Sequence, residues 1–317
     1  MSTTTGHECA MEALTESALE PERAVAEVRD LEVRIPTLRD RAPAWVHALN
    51  GVDLTLRRGR VHGLVGESGC GKSMLGAALA GLLPPGARSR GILRIGGDDV
   101  LDAPEQVWRR IRGHRVGLVG QSAATGLTPT RTVGAQLAET LAAVGPFPRR
   151  APAAQIRDAA ETAFQEVGLT AADLEKYPHE LSGGMANRAM IAFALAADPE
   201  IVVADEPTAG LDPALTDHVL ALLSDQAQRG VAVLLITHDL AGLARTGVAD
   251  DVSVMYAGSI VEHGPAARVL TDPDHPYSRA LLRALPRNGL HRIPGSPPSL
   301  VDLTGEVRFE DRLAGTG

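Results

Sequence analysis

Gly66-Glu67-Ser68-Gly69-Cys70-Gly71-Lys72-Ser73 decides how this chain folds. The stretch fits G-x-x-x-x-G-K-[ST], a glycine-rich loop whose backbone N–H groups converge on phosphate. Lys72 would place a point charge on the outer phosphates, and the Ser73 hydroxyl would ligate Mg2+. The lysine is telling, because the chain has 31 Lys plus Arg residues and only Lys72 and Lys176 are lysine. Arginine is used almost everywhere else, so a lysine here marks a site that needs a compact charge.

The flanks support that reading. Val61–Val65 is a short apolar run that predicts a buried strand, and Ser73–Ala80 predicts a helix stopped by Gly81 and by Pro84-Pro85. Strand, glycine loop and helix is the context that separates this motif from a chance glycine-rich turn.

Further apolar runs, Val116–Val119, Ile201–Ala204 and Val231–Ile236, suit parallel strands covered on both faces. Thr216–Gln228 has an amphipathic helical pattern ended by Gly230. The alternation predicts an α/β fold with a mainly parallel sheet. Asp53–Arg58 predicts an antiparallel strand before the loop, and Pro129–Pro178 a helix-rich insertion without strands. A Pro- and Arg-rich appendage starts near Thr271, and Met1–Arg23 reads as a polar, acidic, mobile tail. The expected division is a tail over 1–27, a core over 28–270 with a helical part at about 129–199, and an extension over 271–317.

Composition sets outer limits. The chain of 317 residues is 44% hydrophobic but 3% aromatic, so its core must be aliphatic. A net charge of -8 argues against broad nucleic-acid binding, which needs a basic footprint. The two cysteines, Cys9 and Cys70, fit a reduced compartment better than a disulfide. No apolar run is long enough to span a bilayer, and the N-terminus lacks the marks of a signal peptide.

Two further motifs carry chemistry. Ile201–Ala204 runs into Asp205-Glu206, which puts two carboxylates at the carboxyl edge of a strand. Asp205 is read as holding Mg2+ through water, and Glu206 as orienting the attacking water in phosphoryl transfer. Alone, the pair would fit an acidic turn equally well. Leu181-Ser182-Gly183-Gly184-Met185 then opens an Ala-rich helix, Ala186–Ala197. A hydroxyl and bare N–H groups at a helix start form an anion site, although an ordinary N-cap serine looks the same in isolation. Lying beyond a helical insertion, this second site would be far from the first. It would therefore complete a nucleotide site on another subunit.

With these motifs in this order, the chain resembles the nucleotide-binding subunit of an ABC transporter from about Leu31 to Arg312. The resemblance implies a P-loop NTPase core with an antiparallel β-subdomain and a helical insertion. It also implies two ATP molecules sandwiched between paired subunits, with Mg2+. Gly66–Ser73 then matches Walker A, Ser182–Met185 the signature, and Asp205-Glu206 the Walker B end. Gln121 matches the glutamine that contacts Mg2+ and senses the membrane subunit. Asp212 matches the D-loop, and His238 the switch histidine at the γ-phosphate. Trp45 has two readings, a ring stacked on adenine or a packing residue of the β-subdomain.

Longer strings resemble the dipeptide/oligopeptide/nickel importer branch: Tyr177–Met185, Val254–Gly258, His275–Leu282 and Ile293–Leu300. That branch implies membrane permease subunits, a second ATPase subunit (a relative or a copy), and an extracytoplasmic solute-binding protein. It implies a peripheral place at the cytoplasmic face of the membrane, with peptides, nickel or a metal chelate as cargo. Three departures stand out. Gly120, Ser122 and Ala123 replace an aromatic and an Asp-Pro around Gln121. Ala186-Asn187 replaces Arg-Gln, and Gly305–Arg312 lacks the cysteines that hold an iron–sulfur cluster, so no cluster is expected. The rival readings are a non-transport ABC ATPase, disfavoured by the single module and acidic charge, and an exporter ATPase.

Overall fold

The computed structural model describes residues 23–39, 41–121, 126–148, 151–289, 291–303 and 307–314. The stretch Met1–Glu22, with Cys9, lies outside the described residues, as do Ser122, Ala123, Gly305 and Glu306.

Two sheets organise the chain. Strands β1 (Ala24–Arg39) and β2 (Ala42–Arg57) form a long antiparallel pair. With β4 (Arg88–Ile95) and β5 (Asp98–Asp99) they make a four-stranded sheet in the order β2-β1-β4-β5. The expected strand Asp53–Arg58 is thus the second half of a 16-residue strand. The tail boundary at residue 27 is corrected, because β1 starts at Ala24 with Val25 and Ala26 buried.

The second sheet holds β3 (Val61–Val65), β6 (Val116–Val119), β7 (Ile201–Asp205), β8 (Ala232–Ile236), β9 (Asp251–Tyr256) and β10 (Ser259–Pro265). Its order is β10-β9-β3-β8-β7-β6. All neighbours are parallel except the edge pair β10 and β9. The run Ile201–Ala204 of β7 and the whole of β8 are apolar because both faces are covered. On β7, Ile201 and Val203 join one core while Val202 and Ala204 join the other. On β8, Leu234 and Ile236 face one core, Val233 and Leu235 the other. Alternation of side chains across a pleated strand produces this division.

The first core lies against the four-stranded sheet and the helix Lys72–Leu79, and includes Leu31, Leu49, Leu75, Leu79, Leu93 and Ile95. The second lies against the helices Val133–Val144, Ala153–Glu166 and Gly183–Leu195 and includes Phe164, Leu137 and Ile191. No strand occurs between Pro129 and Pro178 among the described residues. The helix Pro276–Arg283 and the short helix Phe309–Ala314 add Tyr277 and Phe309 to this core. The C-terminal segment also pairs with the β-sheet: Val301 bridges Val46, and the Asp302 N–H donates to the Trp45 carbonyl at 2.8 Å.

Candidate functional site

Parallel register brings the strand ends to one edge. Leu64 on β3 lies opposite Ile236 on β8, Ile236 opposite Asp205, and Ala204 opposite Val119. The loop after β3, the carboxylates after β7, the turn after β8 and Gln121 after β6 therefore leave the sheet side by side. Ligands bind at this carboxyl edge in open α/β sheets.

The glycine loop needs its glycines for distinct steric reasons. At Gly71 the backbone has φ +109°, and a Cβ would lie 2.4 Å from the Ala48 carbonyl oxygen. At Gly66 a Cβ would lie 2.3 Å from the Met255 carbonyl oxygen. Gly71 is also the N-cap of the helix Lys72–Leu79, so the helix starts with free amides aimed out of its N-terminus. Gly69, at φ +81°, has open space around it.

Lys72 is 6% exposed, and its Nζ donates to the carbonyl oxygens of Gly66 at 2.8 Å and Glu67 at 3.0 Å. Cys70 is buried, and burial pushes its thiol above the usual range, so it stays protonated and unreactive. Glu67 departs from the expected cradle. Its N–H donates to the Tyr277 hydroxyl at 3.0 Å and its carboxylate pairs with Arg312. The amide of Glu67 is therefore engaged, and the Cys70 N–H donates weakly to the Glu67 carbonyl at 3.4 Å, which leaves the other loop amides as the candidates for phosphate.

Asp205 and Glu206 differ sharply. Burial, reinforced by the neighbouring Glu206, holds the Asp205 carboxyl above its ordinary range, against the Ser73 hydroxyl and Lys72. Asp205 Oδ1 is buried with no hydrogen-bond partner. An orphaned carboxylate oxygen beside a hydroxyl is a donor set that fits a hard cation such as Mg2+. Among the described residues no group of three or more His, Cys, Asp or Glu side chains could hold a metal. A cation here would therefore complete its shell with water and substrate phosphates.

Glu206 is 8% exposed and sits at φ +51°, a left-handed backbone rare for a residue with a Cβ. Its N–H donates to the Ile236 carbonyl at 2.9 Å, which extends the ladder one residue past β7. The turn delivers the carboxylate to His238, whose Nδ1 lies 2.9 Å from Glu206 Oε2. The His238 N–H donates weakly to the same oxygen at 3.4 Å. The imidazole itself is 64% exposed, so one end holds the carboxylate and the other faces outward. Gln121 is exposed two residues past β6.

The serine–glycine motif opens a separate helix. Ser182 caps the helix Gly183–Leu195, its Oγ accepting from the Met185 N–H at 3.3 Å. Ser182 and Gly183 are exposed, whereas Gly184 is buried against Leu215. The helix therefore begins at the glycines, three residues before the expected Ala186. Asn187 ties it to the loop after β7 through Nδ2 and the Pro207 carbonyl at 2.9 Å. Asp212 is exposed and caps the helix Pro213–Gln228 through the Leu215 N–H at 3.0 Å.

Trp45 is half-buried on β2, with the Arg88 guanidinium 4.8 Å from its ring centre. Its backbone N–H donates to Asp302 Oδ1 at 3.0 Å. These contacts anchor Trp45 on β2 and are compatible with both readings of its ring. Sequence reasoning missed Tyr277 and Arg312 as partners of the loop. They stand 210 or more positions further along the chain, and no local pattern links them to it.

Comparison with known proteins adds relatives to this geometry. Residues 49–209 match the family described as ABC transporter, and residues 261–313 match the oligopeptide/dipeptide transporter C-terminal region. The chain is 41% identical over 280 residues to a protein of Escherichia coli named "Probable D,D-dipeptide transport ATP-binding protein DdpD", covering 86% of this chain and 84% of the relative. It is 37% identical over 303 residues to the oligopeptide transport ATP-binding protein OppD of Salmonella typhimurium, covering 93% and 88%. Among solved structures, the post-hydrolysis dimer of the ATP-binding cassette MJ0796 with ADP and Pi superposes with a TM-score of 0.67 at 23% identity. That alignment covers 76% of this chain and 98% of the cassette, and it establishes the shared fold.

Proposed function

Because this chain belongs to the ABC transporter family and carries its ATPase domain, we propose that it hydrolyses ATP to drive a binding-protein-dependent importer of peptides or a similar small solute. The observation that carries the mechanism is the shared sheet edge. It gathers Lys72, Ser73, Asp205, Glu206 and His238, while the start of the signature helix stands exposed.

In this reading the amides after Glu67 and the Lys72 ammonium bind the phosphates. Ser73 and Asp205, with Gln121, would hold Mg2+, which supplies charge neutralisation on the phosphates when bound. The outward face of Glu206 orients the attacking water and accepts its proton. His238 keeps that carboxylate in place through its 2.9 Å contact, and its exposed face turns toward the γ-phosphate. Positioning supplies most of the rate, since phosphoryl transfer needs little covalent chemistry from the protein.

The exposed Ser182 and Gly183 amides would meet the nucleotide of a second ATPase subunit, with Asp212 nearby at that interface. ATP then joins two chains, and loss of the γ-phosphate separates them. Membrane permease subunits would take up the motion, and an extracytoplasmic binding protein would deliver the solute. No described helix is long and apolar enough to cross a membrane; a peripheral place on the cytoplasmic face rests on the likeness to transport ATP-binding relatives. The peptide class rests on the C-terminal region match and on the names of the relatives.

The direct test is to purify the assembled complex and identify its subunits and bound solute by mass spectrometry. Recovery with permease subunits and a solute-binding protein is the expected result. Recovery with DNA-repair or ribosomal components would refute the transport role. Loss of labelled-ATP binding in Lys72→Ala tests the nucleotide site separately.

A further inference from the structure

Glu67 is held at three points. Its carboxylate forms a two-pronged pair with Arg312, at 2.6 Å and 3.2 Å. Its N–H donates to the Tyr277 hydroxyl at 3.0 Å. Its carbonyl accepts from Lys72 Nζ at 3.0 Å. Two of these partners come from the C-terminal extension and the third is the phosphate-binding lysine. The Arg312 side chain is 5% exposed and that of Glu67 is 20% exposed, so the pair is shielded from water.

The partners are themselves fixed. Arg312 also donates to the Gly295 carbonyl at 3.1 Å and lies over the Phe309 ring at 5.8 Å. Tyr277 is fully buried, with its ring 4.5 Å from Tyr256 and 5.4 Å from Phe309. Tyr256 ends β9, the strand whose Met255 carbonyl abuts Gly66. In an otherwise aromatic-poor chain, three of its seven Phe and Tyr residues meet here.

The geometry points to the C-terminal extension as a working part of the nucleotide site, with Arg312 and Tyr277 as positioning residues that set the phosphate loop and Lys72 through Glu67. This rests on the reading of Gly66–Ser73 as the phosphate cradle. A buried ion pair contributes little net stability but is costly to break on one side. Here it fixes the carbonyl that holds the ammonium, so its loss loosens a preorganised site rather than the sheet behind it.

The test compares full-length Arg312→Met, Glu67→Gln and their double variant by labelled-ATP titration, steady-state kinetics and thermal melting. Each single variant is expected to weaken ATP binding roughly tenfold, equivalent to about 1.4 kcal/mol. The double variant should be no worse than either single one, because both remove the same contact. KM for ATP should rise while kcat changes little, and Arg312→Lys should restore part of the affinity. Phe164→Leu, in the helix Ala153–Glu166, serves as a control that loosens the core without removing any partner of Glu67. It should lower the melting temperature and leave ATP affinity within about twofold.

Folded Arg312→Met protein with wild-type affinity would overturn the proposal. So would an equal loss of affinity in Phe164→Leu, which would make the effect general destabilisation. In either case loss of ATP binding in Lys72→Ala would leave the cradle reading intact, whereas retained binding there would refute the cradle itself.

Discussion

Acid should weaken this protein through His62, at the opposite end of β3 from the phosphate loop. His62 is 5% exposed, its Nε2 lies 2.9 Å from Ser253 Oγ, and its ring stacks on His263 with centres 5.4 Å apart. Burial, then the proximity of His263, lowers its pKa from 6.5 to about 4, against a smaller opposing pull from Asp251. The unfolded chain therefore takes up a proton near pH 6.5, while the folded chain refuses it until about pH 4. In that window the unfolded state binds more protons, so stability falls as pH falls. A depression of roughly 2.5 units at 1.36 kcal/mol per unit gives a loss of about 3 kcal/mol from this one residue. Nothing more is lost through it below the folded-state pKa.

Carboxylates titrate in the same range, so the comparison is with His62→Gln, which can still bond Ser253 but cannot take a proton there. The urea midpoint of the native protein should fall more steeply with acid than that of the variant. The imidazole resonance of His62 should titrate near pH 4 by NMR. A titration near the ordinary value of 6.5, or parallel stability curves for the two proteins, would refute the packing argument.

Three other outcomes are expected. Glu206→Gln should keep ATP affinity and lower phosphate release by roughly 10²–10⁴-fold, the usual contribution of a general base, and normal release would remove Glu206 from that role. Gly71→Ala should destabilise the fold by about 1–3 kcal/mol from backbone strain alone, with the contact at the Ala48 carbonyl adding to it; urea unfolding measures this. Ser182→Ala should leave ATP binding by the separate chain unchanged but reduce hydrolysis, with a helix-cap loss of about 1 kcal/mol visible in the melting temperature.

Much of this arrangement is legible in local sequence. The apolar runs at β3, β6, β7 and β8 mark strands buried on both faces, and the candidate site residues follow each run. Gly66–Ser73, Asp205-Glu206, His238 and Gln121 thus fall at one edge on pattern alone. Strand β1 is less visible, because Ala24–Arg39 mixes charged and apolar residues and buries only its inward positions. A core boundary at residue 28 accordingly falls past Val25 and Ala26. The contacts to Glu67 are not legible at all. Arg312 lies 245 positions from it, and an arginine in a polar C-terminal segment looks solvated until folding buries it. The switch pair shows the same limit: a histidine after a strand predicts a place, whereas its 2.9 Å contact with Glu206 depends on one left-handed backbone turn.

That Ser182 and Gly183 lie exposed at the start of their helix has a kinetic corollary. On the proposed reading, each molecule carries two unlike half-pockets, and each needs the other kind from a second molecule. Specific activity of the lone chain should then climb in proportion to its own concentration when dilute and level off once pairing saturates. Dilution alone would act as an inhibitor, and an inert copy with an intact serine–glycine face would rescue a dilute active one.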